Sequence, residues 1–347
     1  MQTRVWRHLS ASLVLVMALA LACGRAAAAD LLATGDKVTQ ANYPRAETDR
    51  TFSNIAALAG GVNRFWFIRD VTPLDKQTVV RMNKDTLYAG AVVDTSRGGT
   101  ITVPEVSDGR YFSVLMIDND HYTPGVIYEP GTHDLPRDTK YLMLILRIQL
   151  LRPDDPEDVK RVNALQDQFI IKANSADPFP KPKWDEQSLA GLTETYNTEF
   201  AKYEMYPDGF MGPRGVADDK IRHLAAAGAW GLFPNRDAVY INYNPNLPAD
   251  RCYRATYSVP DNTGFWSITV YGADGYMKST NGILNQINAV MKPDGGFDVS
   301  FGSAKACKDS PNRLDISDGW NFLMRVYRPG QSVLEGKYKL PDVVPAN

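Results

Sequence analysis

The feature that most constrains this chain is a change of hydrophobic period in its middle. From Thr78 to Asp120, and again from Asp138 to Leu150, short segments rich in Val, Ile, Tyr and Thr are separated by hairpin-type turns, which predicts β-strands. Between about residues 155 and 230 the apolar residues recur at helical spacing, and after residue 231 the β pattern returns. Two β-rich blocks separated by helices restrict the chain to the α+β class.

The helical block begins with a clear start signal. Asp155 suits the N-cap and Pro156 the first helical position. Val159, Val162, Leu165 and Phe169 then follow at helical spacing, and we expect further helices around residues 185–203 and 218–230. An earlier helix, starting near Glu47, should end at the Gly60–Gly61 pair.

The clearest strand of the second β block lies in "TGFWSITVYGADGYMKSTNG", residues 263–282. Its residues alternate between two faces, and both faces carry apolar side chains, so we expect a strand inside a sandwich. The predicted fold is therefore mainly β with a helical insert, built from two β-sandwich or jelly-roll-like domains. The expected divisions are an N-terminal β-rich domain at 30–154, the helical insert at 155–230 and a C-terminal sandwich at 231–347.

The first 29 residues have the pattern of a secretory signal peptide. Arg4 and Arg7 precede an apolar run from Leu9 to Ala22, and small residues lead up to Asp30. This pattern predicts a periplasmic or secreted protein. A second interpretation is processing as a lipoprotein, with a lipid anchor at Cys23. No later apolar run is long enough to predict a membrane span.

The charge of the chain limits the kinds of molecule it is expected to bind, and its cysteine content indicates whether a disulfide can form. Signal removal takes three arginines from a chain of 38 basic and 40 acidic residues, which leaves a mildly acidic protein without a basic block. Nucleic acid is therefore not an expected partner. The exported form keeps Cys252 and Cys307, an even pair that predicts a disulfide in an oxidising compartment. Two buried free thiols are the alternative.

The motifs resemble a pair of families of unknown function. "MNKDTLYAGAVVDTS" (82–96) with "DGRYFSVLMID" (108–118) resembles the N-terminal family numbered 1254. "YRATYSVPDNTGFWSITVYGADGYM" (253–277) resembles its C-terminal companion, numbered 1214. The resemblance implies a bacterial exported or envelope protein of two β-rich domains with a helical insert. It implies no activity.

The best polar cluster is "RMNKDTLY", residues 81–88. Arg81, Asn83 and Asp85 fall in a turn before a strand, where they are expected either to stabilise the turn or to contact a ligand at the mouth of a pocket. If Tyr88, Tyr111 and Trp266 line the same cleft, they would suit stacking against a sugar or a ring compound. The first functional hypothesis is binding of a small polar or carbohydrate-like molecule.

A second hypothesis is a hydrolase or lyase that uses His121 with Asp85 or Asp118. His121 lies in "DNDHY", directly after a strand, and imidazole titrates near neutral pH. A hydrogen-bonded loop histidine is the alternative for this residue. A third hypothesis is a structural envelope protein. The sequence matches no standard nucleophile, phosphate-loop or metal motif. It predicts no metal site and leaves the cofactor and the oligomeric state open.

Overall fold

The computed structural model describes residues 35–77, 80–308 and 310–346. The predicted signal peptide and the lipid anchor at Cys23 lie outside the described residues. The predicted fold class is confirmed, because the described residues form sixteen strands in four sheets together with a few helices.

The N-terminal β part consists of two sheets. A five-stranded antiparallel sheet has the order β1-β2-β7-β4-β5, and a three-stranded sheet has the order β6-β3-β8. The strands are β1 (Phe65–Phe67), β2 (Thr86–Asp94), β3 (Gly99–Val103), β4 (Phe112–Asp118), β5 (Gly125–Ile127), β6 (Gly131–Asp134), β7 (Tyr141–Gln149) and β8 (Ile170–Ala173). β7 is apolar almost throughout because both of its faces are covered.

One face of the five-stranded sheet packs on the three-stranded sheet and the other face packs on helices. The helices of this part are α1 (Tyr43–Leu58), α2 (Pro156–Gln166), α3 (Glu186–Phe200) and α4 (Arg222–Gly228). The Asp155 side chain accepts a hydrogen bond from the Glu157 amide, so the predicted N-cap of α2 is present. α1, α3 and α4 pack together over the sheet.

Two differences from the expected elements lie in residues 155–230. β8 interrupts the helical pattern, because it pairs with β3 as an edge strand of the three-stranded sheet. The third expected helix is shorter than residues 218–230, since α4 ends at Gly228 and the chain turns sharply there. The divisions between domains stay predictions.

The C-terminal part is a sandwich of two four-stranded sheets with the orders β12-β11-β15-β9 and β14-β13-β10-β16. Its elements are β9 (Ala238–Tyr243), β10 (Tyr253–Tyr257), β11 (Trp266–Tyr271), β12 (Ile283–Asn285), β13 (Phe297–Phe301), α5 (Ala304–Cys307), β14 (Arg313–Leu314), β15 (Asn321–Tyr327), α6 (Gln331–Leu334) and β16 (Val344–Pro345). A disulfide joins Cys252 and Cys307, as the sequence predicted.

The two faces of β11 have different roles. Trp266, Ile268 and Val270 point into the sandwich core, so Ser267 and Thr269 lie on the opposite face. That outer face is also buried, because it lies against the N-terminal part. Among the described residues, no helix is long and apolar enough to cross a membrane.

Candidate functional site

Polar side chains form a patch on the five-stranded sheet where β2 begins. Tyr88, Arg147 and Ser113 lie opposite one another on β2, β7 and β4. Thr86 and Gln149 form the next pair along the same face. These five polar residues lie together at one end of the face whose middle part carries apolar residues that pack on the helices.

A second polar row crosses the sheet of the sandwich that faces this patch. Asn285, Ser267, Arg325 and Tyr240 lie opposite one another on β12, β11, β15 and β9. Arg325 donates from Nη1 to Thr269 Oγ1 at 3.0 Å and from Nη2 to the Tyr271 hydroxyl at 2.9 Å. The row therefore presents a fixed guanidinium group toward the N-terminal part.

The loop before β2 connects the two rows. Asn83 donates from Nδ2 to the hydroxyl oxygen of Tyr327 at 3.0 Å and to that of Tyr88 at 3.4 Å. Arg81 has a left-handed backbone (φ 57°), and its carbonyl oxygen accepts a 2.8 Å hydrogen bond from Arg325 Nη2. The loop and the two rows together are called the inter-sheet site below.

Aromatic rings close one side of the inter-sheet site. Phe265 stacks on Tyr327 with ring centres 4.3 Å apart, and Tyr111 packs against both rings at 5.2 and 5.3 Å. Phe233 lies under the guanidinium group of Arg147, whose Cζ is 4.2 Å from the ring centre. The site thus combines a polar floor with an aromatic wall, which is the usual composition of a small-molecule site.

The inter-sheet site contains more positively charged than negatively charged side chains. Arg147 and Arg325 are 7% and 4% exposed, and Arg81 is half-buried. Within the described part of the chain, no carboxylate lies within 4.0 Å of any of these three guanidinium groups. Asp85 is the buried carboxyl of the site. Burial raises its pKa, against the opposing effects of Asn285, Ser267 and Arg325.

The two buried guanidinium groups lower the pKa values of neighbouring tyrosine hydroxyl groups, against the effect of burial. Burial acts to raise the pKa of Tyr88, but Arg147, Thr86, Arg325 and Asn83 outweigh it and hold that pKa below its usual value. Burial raises the pKa of Tyr240 to about 12 despite the same two arginines. Tyr88 is therefore the phenol of the site that most readily loses its proton.

Several buried polar atoms of the site have no hydrogen-bond partner. They are Arg81 Nη1, Asp85 Oδ2, Thr86 Oγ1, Tyr111 Oη, Ser113 Oγ, Arg147 Nη1, Gln149 Nε2 and Ser267 Oγ. Buried polar groups in folded proteins are nearly always paired with protein, water or ligand. Ser267 lies close enough to Asp85, Thr86 to Tyr88 and Ser113 to Tyr111 to lower the pKa of that neighbour against the effect of burial. The unpaired donors of Arg81, Arg147 and Gln149 therefore remain as the atoms that indicate a site for a polar molecule.

The structure brings together five of the residues proposed from the sequence. Arg81, Asn83, Asp85, Tyr88 and Tyr111 all lie in the inter-sheet site. Trp266 does not lie there, because it points into the sandwich core and stacks on Phe297 with ring centres 4.4 Å apart.

His121 and Asp118 lie at the other end of the five-stranded sheet from Asp85. Asp118 is opposite Leu142 on β7, whereas the Asp85 carbonyl accepts from the Leu150 amide. Eight residues of strand separate these points, about 25 Å along the sheet. The structure therefore does not bring His121 and Asp85 together.

The surroundings of His121 differ from those of a catalytic base. The ring is 1% exposed, packs against Trp230, and has no hydrogen-bond partner on either nitrogen. Burial, with a further contribution from Arg222, lowers its pKa to about 3. Asp118 accepts hydrogen bonds from the Asp120 and Tyr122 amides and from Arg214, so it stabilises the turn.

Sequence reasoning missed most residues of the site that lie on β4, on β7 and on the sandwich. They are Ser113, Arg147, Gln149, Tyr240, Ser267, Thr269, Asn285, Arg325 and Tyr327. One signal was present: "YLMLILRIQ" and "NFLMRVY" each contain a single charged residue within an apolar strand. An arginine at such a position must find partners inside the protein.

Two concave regions of the described chain lie outside the inter-sheet site. An open concavity of about 700 Å³ lies beside α3 and is lined by Arg50, Thr193 and Asn197 among others. A second, of about 510 Å³, lies beside the inter-sheet site where Gln77 meets Met277. The described residues contain no group of three or more metal-ligating side chains placed to hold a metal ion.

The fold and the site define an α+β protein with two β-rich parts and a buried polar region between them. Comparison with family models adds two matches. Residues 62–129 match a protein family of unknown function, DUF1254, and residues 243–331 match another, DUF1214. The chain therefore contains a DUF1254 region followed by a DUF1214 region, and the order predicted from the motifs is confirmed.

Two solved structures have a similar fold. The VPA0106 protein from Vibrio parahaemolyticus superposes with a TM-score of 0.67 at 18% identity, covering 89% of this chain and 98% of that one. An uncharacterised protein from Burkholderia cenocepacia gives a TM-score of 0.51 at 16% identity, covering 88% and 86%. At these identities the similarity concerns the fold alone. No curated protein matches the chain.

Proposed function

We propose that this protein binds a small polar molecule in the inter-sheet site. The observation that carries the proposal is the group of buried polar side chains between two facing sheets, of which Arg81, Arg147 and Gln149 have donors without a hydrogen-bond partner. A folded protein leaves such atoms unpaired at a cost of about 1–3 kcal/mol each. A ligand that supplies the missing partners would recover part of that cost.

The signal-like N-terminus and the disulfide support a setting outside the cytoplasm. Disulfides persist in oxidising compartments such as the bacterial periplasm. We therefore propose that the protein is exported and meets its ligand there. Processing at Cys23 would decide whether it is free or held at a membrane surface by lipid.

A thermal-shift screen with sugars, organic acids and aromatic metabolites tests the binding proposal. A ligand that prefers the native state raises the melting temperature in proportion to its concentration and affinity. We expect that increase to be lost in Asp85→Asn and Arg81→Ala. Trp266→Phe is the matched control, because Trp266 lies on the other face of β11. An increase that survives unchanged in both site variants would refute this location.

One observation favours an enzyme as the second candidate. Tyr88 lies in the inter-sheet site near two guanidinium groups, which favour its phenolate form. A phenolate could act as a general base in a hydrolase or lyase. In that case Tyr88→Phe would bind the ligand with nearly unchanged affinity but would not convert it. Conversion at the normal rate by Tyr88→Phe would exclude this role.

The structural alternative makes a different prediction in the same screen. A structural envelope protein would show no saturable stabilisation by any small molecule, and its site variants would change stability alone. A ligand whose effect depends on Asp85 and Arg81 would therefore argue against it.

A further inference from the structure

Of the two fully buried arginines of the inter-sheet site, Arg147 has the fewer hydrogen bonds. It lies near the C-terminal end of β7 and is 7% exposed. Nη2 donates a 2.8 Å hydrogen bond to the Gly231 carbonyl oxygen, whereas Nη1 has no partner. Rings of Phe233 and Tyr88 cover the guanidinium group, with centres 4.2 and 5.3 Å from Cζ. Rings stabilise a buried cation only in part, so an anion is missing.

Arg325 provides the contrast on the facing sheet. Its guanidinium group is equally buried, but its two terminal nitrogens donate to Thr269, Tyr271 and the carbonyl oxygen of Arg81. Its partners are therefore supplied by the protein itself. The missing anion is expected at Arg147.

Gln149 adds a second unpaired donor beside Arg147. Its Oε1 accepts a 3.1 Å hydrogen bond from the Tyr111 amide, which fixes the orientation of the side-chain amide. Nε2 is consequently the free atom, and it is buried without a partner. Arg147 and Gln149 are two residues apart on one strand, so they lie on the same face about 7 Å apart.

Two hydroxyl groups complete this corner. Ser113 lies opposite Arg147 on β4, and Thr86 lies opposite Gln149 on β2. Both hydroxyl groups are buried; Thr86 lies close enough to the Tyr88 hydroxyl, and Ser113 to the Tyr111 hydroxyl, to lower the pKa of that phenol against the effect of burial. The guanidinium group and the amide N–H are the unpaired donors of this corner, and the two hydroxyl groups can donate either to the neighbouring phenols or to a ligand. Among the described residues, no carboxylate forms an ion pair with Arg147.

We infer that this corner, formed by Arg147, Gln149, Ser113 and Thr86, binds the carboxylate of a small organic acid with an aromatic or planar body. The inference rests on the proposed binding function and names the class of ligand. Within this corner the single guanidinium group of Arg147 matches one negative charge, which favours a carboxylate over a phosphate dianion. Phe233, Phe265 and Tyr327 provide the wall against which a ring can pack.

Benzoate and benzamide form a matched pair of probes, because they share the ring and differ in the negative charge. We expect benzoate to bind in calorimetric titration and to raise the melting temperature. Benzamide should bind at least about tenfold more weakly, since a hydrogen bond to a charged group contributes about 1.5–3 kcal/mol. Inorganic phosphate tests whether a negative charge without a ring is sufficient for binding.

Two variants test the location of the carboxylate-binding corner, so that the conclusion does not depend on a single substitution. Arg147→Met removes the charge and should weaken benzoate binding by about 10- to 100-fold. Gln149→Glu keeps the acceptor for the Tyr111 amide and places a carboxylate beside Arg147. That variant should melt at a higher temperature than the natural protein and should no longer bind benzoate. Trp266→Phe should bind benzoate normally.

The outcomes separate this inference from the proposed function. If benzamide binds as well as benzoate, the site binds small molecules but does not recognise a carboxylate, and the inference is refuted. Binding of phosphate without benzoate refutes the carboxylate assignment. Benzoate binding that is unchanged in both Arg147→Met and Gln149→Glu refutes the location. If neither the probes nor any compound of the wider panel binds, the inference and the proposed function both fail.

Discussion

Asn285 donates a 2.9 Å hydrogen bond from Nδ2 to Oδ1 of Asp85, which joins two buried residues 200 positions apart. Asp85 belongs to the loop before β2, and Asn285 ends the edge strand β12 of the sandwich. The contact therefore connects the two β-rich parts. Ser267 on β11 also acts on this carboxyl and lowers its pKa against the effect of burial, so both contributions come from the sandwich.

The first prediction concerns the charge of Asp85. Burial raises its pKa in the folded protein, so its stabilising contribution is present at low pH and is lost as the pH rises through that folded pKa. At pH 7 the ionised carboxylate is a cost. We expect Asp85→Asn to raise the free energy of unfolding by about 1 kcal/mol at pH 7 and to have little effect below pH 4. Urea unfolding at both pH values measures this.

Asp208→Asn is the control for that measurement, because Asp208 is exposed. It should change the free energy of unfolding little at either pH. A loss of stability in Asp85→Asn at pH 7 would mean that Arg325 and Asn285 stabilise the carboxylate more than burial destabilises it.

The second prediction compares the two buried arginines. Arg325 makes three side-chain hydrogen bonds, so Arg325→Met should lower the free energy of unfolding by about 3–5 kcal/mol. Arg147 makes one, and its charge has no counterion in the described chain. Arg147→Met should therefore be neutral or stabilising in the ligand-free protein, as when ionic groups are replaced by apolar ones. Denaturant titrations of the two ligand-free variants measure both changes in the free energy of unfolding.

An equal and large loss of stability in both variants would contradict this prediction. It would indicate that the rings and the Gly231 carbonyl satisfy Arg147 fully. The comparison is informative because the two residues have similar burial and differ in their partners.

The local elements of this fold could be read from the sequence because they depend on neighbouring residues. The β pattern predicted β2, β4, β7 and β11, and the Asp155–Pro156 pair predicted the start of α2. These features reflect side-chain period and capping, which are properties of short segments. The shorter α4 and the edge strand β8 were missed, because tertiary packing overrides local propensity there.

Only part of the inter-sheet site could be predicted from the sequence. Arg81, Asn83, Asp85 and Tyr88 lie within eight residues, so a polar cluster could be recognised locally. Period-two alternation separates Trp266 from Ser267 but does not tell which face of β11 meets the core. Which strands lie opposite each other depends on sheet order and on how the two parts pack. No local pattern encodes that arrangement.

The third prediction concerns His121 and acid. Burial lowers its pKa to about 3, below the value near 6.5 of an unfolded chain. Its contribution is therefore fully present above about pH 6.5 and is lost as the pH falls toward 3. At pH 5 this costs the natural protein about 2 kcal/mol relative to pH 7. In His121→Phe the decrease between pH 7 and pH 5 should be smaller by that amount.

The pH slope is the informative quantity for His121, because its backbone is left-handed (φ 66°) and a substitution there adds a constant strain. His133→Phe serves as the control, since His133 lies on a strand near the surface. An unchanged slope in His121→Phe would show that the imidazole is solvated or protonated in the folded protein.

The last prediction concerns the disulfide between Cys252 and Cys307, which closes a loop across β10 to β13 with a sequence separation of 55. Loop-closure entropy predicts a stabilisation of about 4 kcal/mol for a loop of this length. We expect the Cys252→Ser, Cys307→Ser double variant to unfold at lower urea concentration with a similar or larger m-value. Reduction of the natural protein should have the same effect, and the reductant should not change the stability of the double variant.

Because both cysteines lie in the sandwich, far along the chain from Arg147, benzoate binding should persist in the double variant under native conditions. A loss of binding without global unfolding would show that the disulfide positions the polar row of Asn285, Ser267, Arg325 and Tyr240.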